Sequence, residues 1–458
     1  MSIASRTPLL AAALAVLPGA LVGQEPSLPV PPPSADPRIY QIVAAASPER
    51  IEADIRTLAG FGTRNTFSDT LSNTRGIGAA RRWIYAEFQR ISQACGGCLE
   101  VRYVSHIQEQ GAPRPTNVVN VIAIQRGTTH PNRYVIMSGD IDSRNSNTRD
   151  GEGDAPGAND NASGTAGVLE AARLLTKYTF GSSIVYATLS GEEQGLWGGT
   201  HLVEVAKQEG WDIIGVLNND MIGNIAGIDG VIENTVFRVF SEGPTARLTD
   251  QELNRMRLYG GEVDGPSRQL ARYVAKMTAQ YIPNLEAMMI YRLDRFGRGG
   301  HHRPFNDAGF PGVRIMEAHE HYDRQHQNLR TENGRHFGDE VDFVNFDYAA
   351  KLAAVNAITM AGLAWAPPQP DSVRIGGAVS PHTTLAWNPV SDPNLAGYRI
   401  YWRRTTAPQW EHSIFVGNVN EYTLENIVID NWFFGVASVG RDGNESVVVF
   451  PTSVMRRR

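Results

Sequence analysis

Between residues 99 and 217, apolar runs of strand length alternate with an amphipathic segment of helix length, and the runs end in carboxylates and amides. Leu99–Ile107, Asn117–Ile124, Tyr134–Ser138, Ile184–Leu189 and Ile213–Leu217 read as strands. Residues 163–177 (SGTAGVLEAARLLTK) open on a serine and carry an apolar stripe, which predicts a helix. This alternation predicts an α/β fold with a mostly parallel central sheet flanked by helices. Helical periodicity over 38–94, through Ile51, Ile55 and Leu58 and then Ala80, Ile84, Phe88 and Ile91, places helices ahead of the sheet. A final helix, Tyr348–Trp365, closes the domain.

In an open α/β sheet the chemistry gathers at the C-terminal ends of the strands. The residues found there are Asp140 and Asp142, Asp160 in the loop Pro156–Gly164, the pair Glu192-Glu193, and Asp220. One strand-end acid reads as a turn or helix cap. Four sets in one half-domain repel one another unless something positive sits among them. The histidines point the same way. Of 11 in the chain, His301, His302, His319, His321, His326 and His336 fall in one short stretch, a concentration that suits a metal ligand.

In order, Asp140-x-Asp142-Ser143, Pro156-Gly157-Ala158-Asn159-Asp160-Asn161-Ala162-Ser163-Gly164, Glu192-Glu193-x-Gly195, Asp220-Met221, His302-x-Pro304-Phe305 and Tyr322 to His326 resemble the motifs of the co-catalytic di-zinc exopeptidases. That family includes bacterial leucyl-type aminopeptidases, glutamate carboxypeptidases and glutaminyl cyclases, and the likeness covers roughly residues 50–365. The resemblance implies two zinc ions bridged by Asp160. One would be held with Glu193 and His326, the other with Asp220 and the residue at 140. It implies Glu192 as the general base and Asp142 as the residue that orients the ligand at 140. Peptide is the implied substrate and aminopeptidase the favoured activity. A carboxypeptidase, a glutaminyl cyclase or a non-catalytic binding or adhesion relative are the alternatives.

Two positions depart from that pattern. Asp140 stands where the family has a histidine ligand, and His301 where it has an acid. Either Asp140 ligates directly, making an all-oxygen second site that accepts Mn, Co or Ca, or that site has lost its metal. With Asp140 in place, Asp142 has no imidazole to orient, and a backbone N–H, Ser143 or Arg144 could hold it instead. His301 and His302 are expected to line the substrate pocket, and His319 and His321 are weaker candidates for it.

The chain ends carry other signals. Residues 1–23 read as a signal peptide, with Arg6 followed by the apolar run Leu9–Val22, too short for the ~20 residues of a spanning helix. Residues 24–37 read as an extended, mobile Pro-rich leader, 38–365 as the peptidase domain and 366–370 as a linker. The expectation is a secreted or periplasmic protein with no membrane span after signal cleavage. In an oxidising compartment Cys95 and Cys98 form a small-loop disulfide; a redox pair or half a zinc knuckle are the other readings. Net charge is −6 and the one basic run is Arg456-Arg457-Arg458, which argues against nucleic acid or an anionic membrane as partner.

Residues 371–458 change texture to short alternating segments, which predicts a small β-sandwich. It resembles a fibronectin type III domain, with Trp387, Tyr398 and Tyr401 in its core. Such a module would contact a surface or polymer, and its removal would leave small-peptide hydrolysis intact.

Overall fold

The computed structural model describes residues 29–245 and 247–455. The expected signal peptide and the first residues of the leader lie outside this range. No helix among the described residues is long and apolar enough to cross a membrane.

Eight strands form the central sheet: β1 (Leu99–Gln108), β2 (Thr116–Gln125), β3 (His130–Asp140), β4 (Ser182–Leu189), β5 (Asp212–Asn219), β6 (Val236–Ser241), β7 (Glu286–Ile290) and β8 (Gly312–Glu317). Their order is β1-β2-β4-β3-β5-β8-β6-β7. The central run β4-β3-β5-β8 is parallel, as expected. The flanks are not: β1 pairs antiparallel with β2, β2 with β4, and β6 with β8. The sheet is therefore mixed. The short link between β1 and β2 allows only a hairpin, because a parallel partner needs a long crossover.

The helices are α1 (Pro37–Ala45), α2 (Pro48–Gly60), α3 (Gly76–Ala94), α4 (Gly164–Leu175), α5 (Trp197–Gln208), α6 (Asp250–Arg257), α7 (Pro266–Tyr281), α8 (His302–Asp307) and α9 (Phe346–Trp365). One face of the sheet packs on α4 and α9 with α1–α3 and α7, in a core that includes Val135, Met137, Leu169 and Ile358. The other face, with Ile136, Val185 and Val216, is covered by Leu202, Val203 and Phe305 from α5 and α8. Nearly every side chain of α9 is buried, so this helix is apolar all round rather than on one stripe. Cys95 and Cys98 form a disulfide just past α3.

The C-terminal region forms a four-stranded and a three-stranded sheet over one shared core, which includes Trp387, Tyr398, Ile400 and Val436. It is bonded to the larger domain by ion pairs. Asp264 is fully buried between Arg272 of α7 and Arg403. Lys276 of α7 reaches Glu445 at 2.6 Å, and His130 reaches Asp392 at 2.6 Å. The stretch 366–370 is pinned rather than free, since Ser438 Oγ donates to the Pro368 carbonyl at 2.7 Å.

The mobile leader is a correction. Its described part lies against the rest of the chain: Gln280 donates to the Ser34 carbonyl at 2.7 Å, and Asn444 donates to Asp36 at 2.8 Å. Proline already restricts the backbone of this segment, so docking it orders fewer degrees of freedom than an ordinary tail would need.

Candidate metal centre

Strands β3, β4, β5 and β8 deliver their C-terminal ends to one edge of the sheet. Asp142 lies two residues beyond β3 and is buried. Its Oδ1 accepts the backbone N–H of Glu192 at 3.2 Å, and its Oδ2 accepts that of Glu193 at 3.1 Å. Of the partners open to it, backbone N–H groups are the ones it takes. A single carboxylate thus fixes the turn after β4 that presents both glutamates. Burial, with Asp140 and Glu193 adding to it, pushes the Asp142 carboxyl up to about 7.

The loop carrying Asp160 is held from two sides. Arg64, fully buried, donates to the carbonyls of Ile141, Leu58 and Gly157 at 2.8, 3.0 and 2.8 Å. Asp339 accepts the backbone N–H of Asn159 at 2.9 Å and of Asp160 at 2.6 Å. Gly157 has φ +52°, and a Cβ there would lie 2.4 Å from that of Ser143, so a side chain is barred on both counts.

Asp160, Glu193 and His326 meet at one point. Each offers a ligand atom, and the three atoms lie within 4.8 Å of one another. His326 Nε2 is 2.9 Å from Asp160 Oδ2 and 3.1 Å from Glu193 Oε1. Burial lowers the His326 imidazole, but Glu193 and then Asp160 more than reverse this and carry it to about 10. Burial likewise raises Asp160, and His326 reverses it, leaving that carboxyl well below its usual range. The imidazolium proton offsets one of the two carboxylate charges, and a divalent cation in its place would offset both. Glu193 Oε1 is buried with no hydrogen bond. Two carboxylates, one imidazole and room on the cavity side suit a zinc ion with an open coordination position. The residues fit one metal.

Asp140 and Asp220 are not gathered into that group, and both have protein partners. Asp140 Oδ1 lies 2.5 Å from His301 Nδ1, and its Oδ2 accepts from Asn161 Nδ2 at 2.8 Å. Asp220 Oδ2 is paired with Arg314, a fully buried residue of β8 that also donates to Asp294 at 3.0 Å. The other oxygen of Asp220 is buried with no hydrogen bond.

The histidines expected in the pocket are displaced from it. His301 and His302 are fully buried. His301 packs against Gly199 of α5 and bonds Asp140. His302 Nε2 donates to the Leu293 carbonyl at 2.8 Å and lies 3.5 Å from Asp294. Burial drops both rings to about 4, so both are neutral. His319 bonds Asp229 at 2.7 Å.

A cavity of about 800 Å³ opens over the three ligands, lined by Glu192, Glu193, Asp160, Asp220 and His326 and rimmed by Arg144, Arg298 and Arg303. This is within the size range of small-molecule and peptide pockets. Burial, with Glu193, Asp220 and Asp140, holds Glu192 well above the usual carboxylate range. Leu196, Met221 and His326 all have positive φ without being glycine, and each is at or beside the site. Such backbone costs ~1–3 kcal/mol per residue and persists where surrounding structure over-determines it, commonly at functional sites.

The model of peptidase family M28 matches residues 120–341, which contain Asp160, Glu193 and His326 together with Asp142, Glu192 and Asp220. A "Probable zinc metalloprotease" of Leptosphaeria maculans is 41% identical over 422 residues, covering 92% of this chain and 98% of its own. One of Pyrenophora teres f. teres is 39% identical, covering 93% of this chain and 88% of its own.

The chain belongs to peptidase family M28.

Among solved structures, the Legionella pneumophila LapA aminopeptidase shares the fold at a TM-score of 0.53 and 18% identity, covering 71% of this chain and 72% of that one. A Macrostomum lignano glutaminyl cyclase does so at 0.50 and 15%, covering 73% and 94%. Within this M28 chain, three residues that serve the site are not among the candidates the sequence offers: Arg64, Asp339 and Arg314. Only Arg314 left a trace, as one cation inside an otherwise buried strand, Gly-Val-Arg-Ile-Met-Glu.

Proposed function

We propose that this M28 chain is an exported zinc exopeptidase that removes N-terminal residues from peptides. The observation that carries this reading is the cluster of Asp160, Glu192, Glu193 and Asp220 in the cavity, in which Asp220 keeps one oxygen unbonded. An α-ammonium group is the part of a peptide that satisfies such an acceptor, and a charge-assisted bond is stronger than a neutral one.

A zinc ion held by Asp160, Glu193 and His326 supplies Lewis acidity toward the scissile carbonyl and makes a water more acidic. The chain's own residues do the rest. Glu192 takes the proton from the attacking water and returns it to the leaving amine. Asp142 keeps Glu192 and Glu193 in register, so base and ligand face the same point from adjacent residues. Asp339 and Arg64 fix the loop that presents Asp160.

The test is turnover of aminoacyl-p-nitroanilides by metal-stripped and zinc-restored protein, with N-acetylated substrates as controls. Turnover of the free-amine substrates alone, falling about 10²–10⁴-fold in Glu192→Gln, is expected. Cleavage of acetylated substrates at equal rate would sink the aminopeptidase reading.

One observation favours a second reading. Arg303 lines the cavity with no ion-pair partner among the described residues, and its Nε is buried without a hydrogen bond. A guanidinium placed so would take a carboxylate, either a substrate C-terminus or an acidic side chain. Hydrolysis of N-blocked dipeptides with a free C-terminus, lost on C-terminal amidation, would identify a carboxypeptidase.

A further inference from the structure

The two departures from the family pattern, at positions 140 and 301, are partners in space. The acid that replaces a histidine and the histidine that replaces an acid touch at 2.5 Å. In this chain they form a histidine–carboxylate pair, His301 Nδ1 against Asp140 Oδ1. Asp140 ends with both carboxylate oxygens engaged, by His301 and by Asn161. His301 Nε2, the ring nitrogen left over, is on a residue that lines no part of the cavity.

At the other expected ligand, a cation is already built in. The guanidinium of Arg314 pairs with Asp220 Oδ2 on one side and Asp294 on the other, and it also donates to the Gly299 carbonyl. It is fully buried. A guanidinium does not deprotonate in proteins, and this one lies between two carboxylates. A metal ion bound to Asp220 Oδ2 would take from a desolvated guanidinium one of its three acceptors, which is strongly unfavourable in a buried network, and an ion on the unbonded Oδ1 would share its carboxylate with that guanidinium. A dication seated beside it would be repelled in a site of low dielectric. The residues therefore fit one metal and not two.

We propose that this chain binds a single divalent cation, at Asp160, Glu193 and His326, and that Arg314 provides the fixed positive charge at the second position. Asp220 is then a receptor for the substrate amine rather than a metal ligand. Only this last statement rests on the aminopeptidase reading. Metal stoichiometry does not.

The experiment is equilibrium dialysis of the full chain against Zn²⁺ or Co²⁺ with the metal measured by mass spectrometry, and electron paramagnetic resonance of the Co²⁺ form. One equivalent is expected, with the signal of an isolated high-spin ion. Asp220→Asn and Asp140→Asn should keep that equivalent at an affinity within a few-fold of the parent, while His326→Ala loses it. Two equivalents, or a spin-coupled pair, would overturn the proposal. So would a drop in stoichiometry in Asp220→Asn, or no metal bound to the parent chain. Asp220→Asn is nearly isosteric, and Asp140→Asn supplies the same readout if that variant fails to fold. One equivalent without peptidase activity would reject the function proposed above and leave this stoichiometry standing; two equivalents with activity would do the reverse.

Discussion

Asp142 accepts the backbone N–H of Glu193 at 3.1 Å, and its second oxygen takes the neighbouring N–H of Glu192 at 3.2 Å. A carboxylate has two acceptor oxygens and a carboxamide has one. Asp142→Asn therefore keeps the volume but offers one of the two N–H groups a donor instead of an acceptor. We expect kcat to fall about 10²-fold, since a displacement of ~1 Å at a reacting centre has effects of that size. Thermal stability should fall little beside that. Steady-state kinetics and a melting curve on one preparation check this. An unchanged kcat would mean that the turn after β4 is set by something else.

Arg303 lines the cavity without an ion-pair partner among the described residues, unlike Arg144, Arg295 and Arg298. Arg303→Gln should lower kcat/KM for substrates with an acidic side chain or a free C-terminal carboxylate by about 10-fold, equivalent to ~1.4 kcal/mol. Neutral aminoacyl anilides should be unaffected. A uniform loss across both classes would assign Arg303 to the framework instead.

The ion pair between the two modules predicts a pH dependence of stability. Burial raises the Glu445 carboxyl, but Lys276 and Arg399 outweigh this and leave it below its ordinary value of 4.5. A carboxyl whose folded pKa is depressed contributes stability that is present above its unfolded pKa and is lost as pH falls through the folded one. Melting temperature should therefore hold from neutral pH to about 5, then drop faster below ~4.5 in the parent chain than in Glu445→Gln. At pH 7 that variant should be less stable by about 2 kcal/mol, because Lys276 loses its charged partner. Parallel curves at all pH values would contradict this.

Truncation after Trp365 should harm the larger domain, contrary to what the composition of residues 366–370 suggests. It leaves Asp264 without Arg403, Lys276 without Glu445 and Arg38 without Asp442. Broken buried pairs are costly, and a loss on the order of 10 °C in melting temperature is expected. A soluble fragment that melts with the parent would show the modules to be separable.

Much of the site was legible because its acids sit where strands stop. Asp140, Asp142, Glu192, Glu193 and Asp220 each follow an apolar run, and the end of a run is a local property. Whether such an acid meets a metal or a guanidinium is a long-range property. Asp220 meets Arg314 across 94 residues and Asp140 meets His301 across 161. No periodicity reports those pairings. The same distinction explains the leader. A run of prolines does forecast extended backbone, but whether that backbone finds a surface depends on residues around 280 and 444. The flanking strands β6 and β7 carry weaker signals: β7 has no fully buried residue, and β6 has a cation, Arg238, in its middle.

Asp36, at the threshold of the first helix, receives its hydrogen bond from Asn444, 408 residues later. At ~5–20 residues per second, a ribosome takes about 20–80 s to cover that distance. For that interval Asp36 lacks Asn444, although Gln280 and Tyr281 become available earlier to bond Ser34 and Asp36. The contacts of Asp36 can therefore be completed only after residue 444 has been made, and the C-terminal sheets are the latch that closes over it.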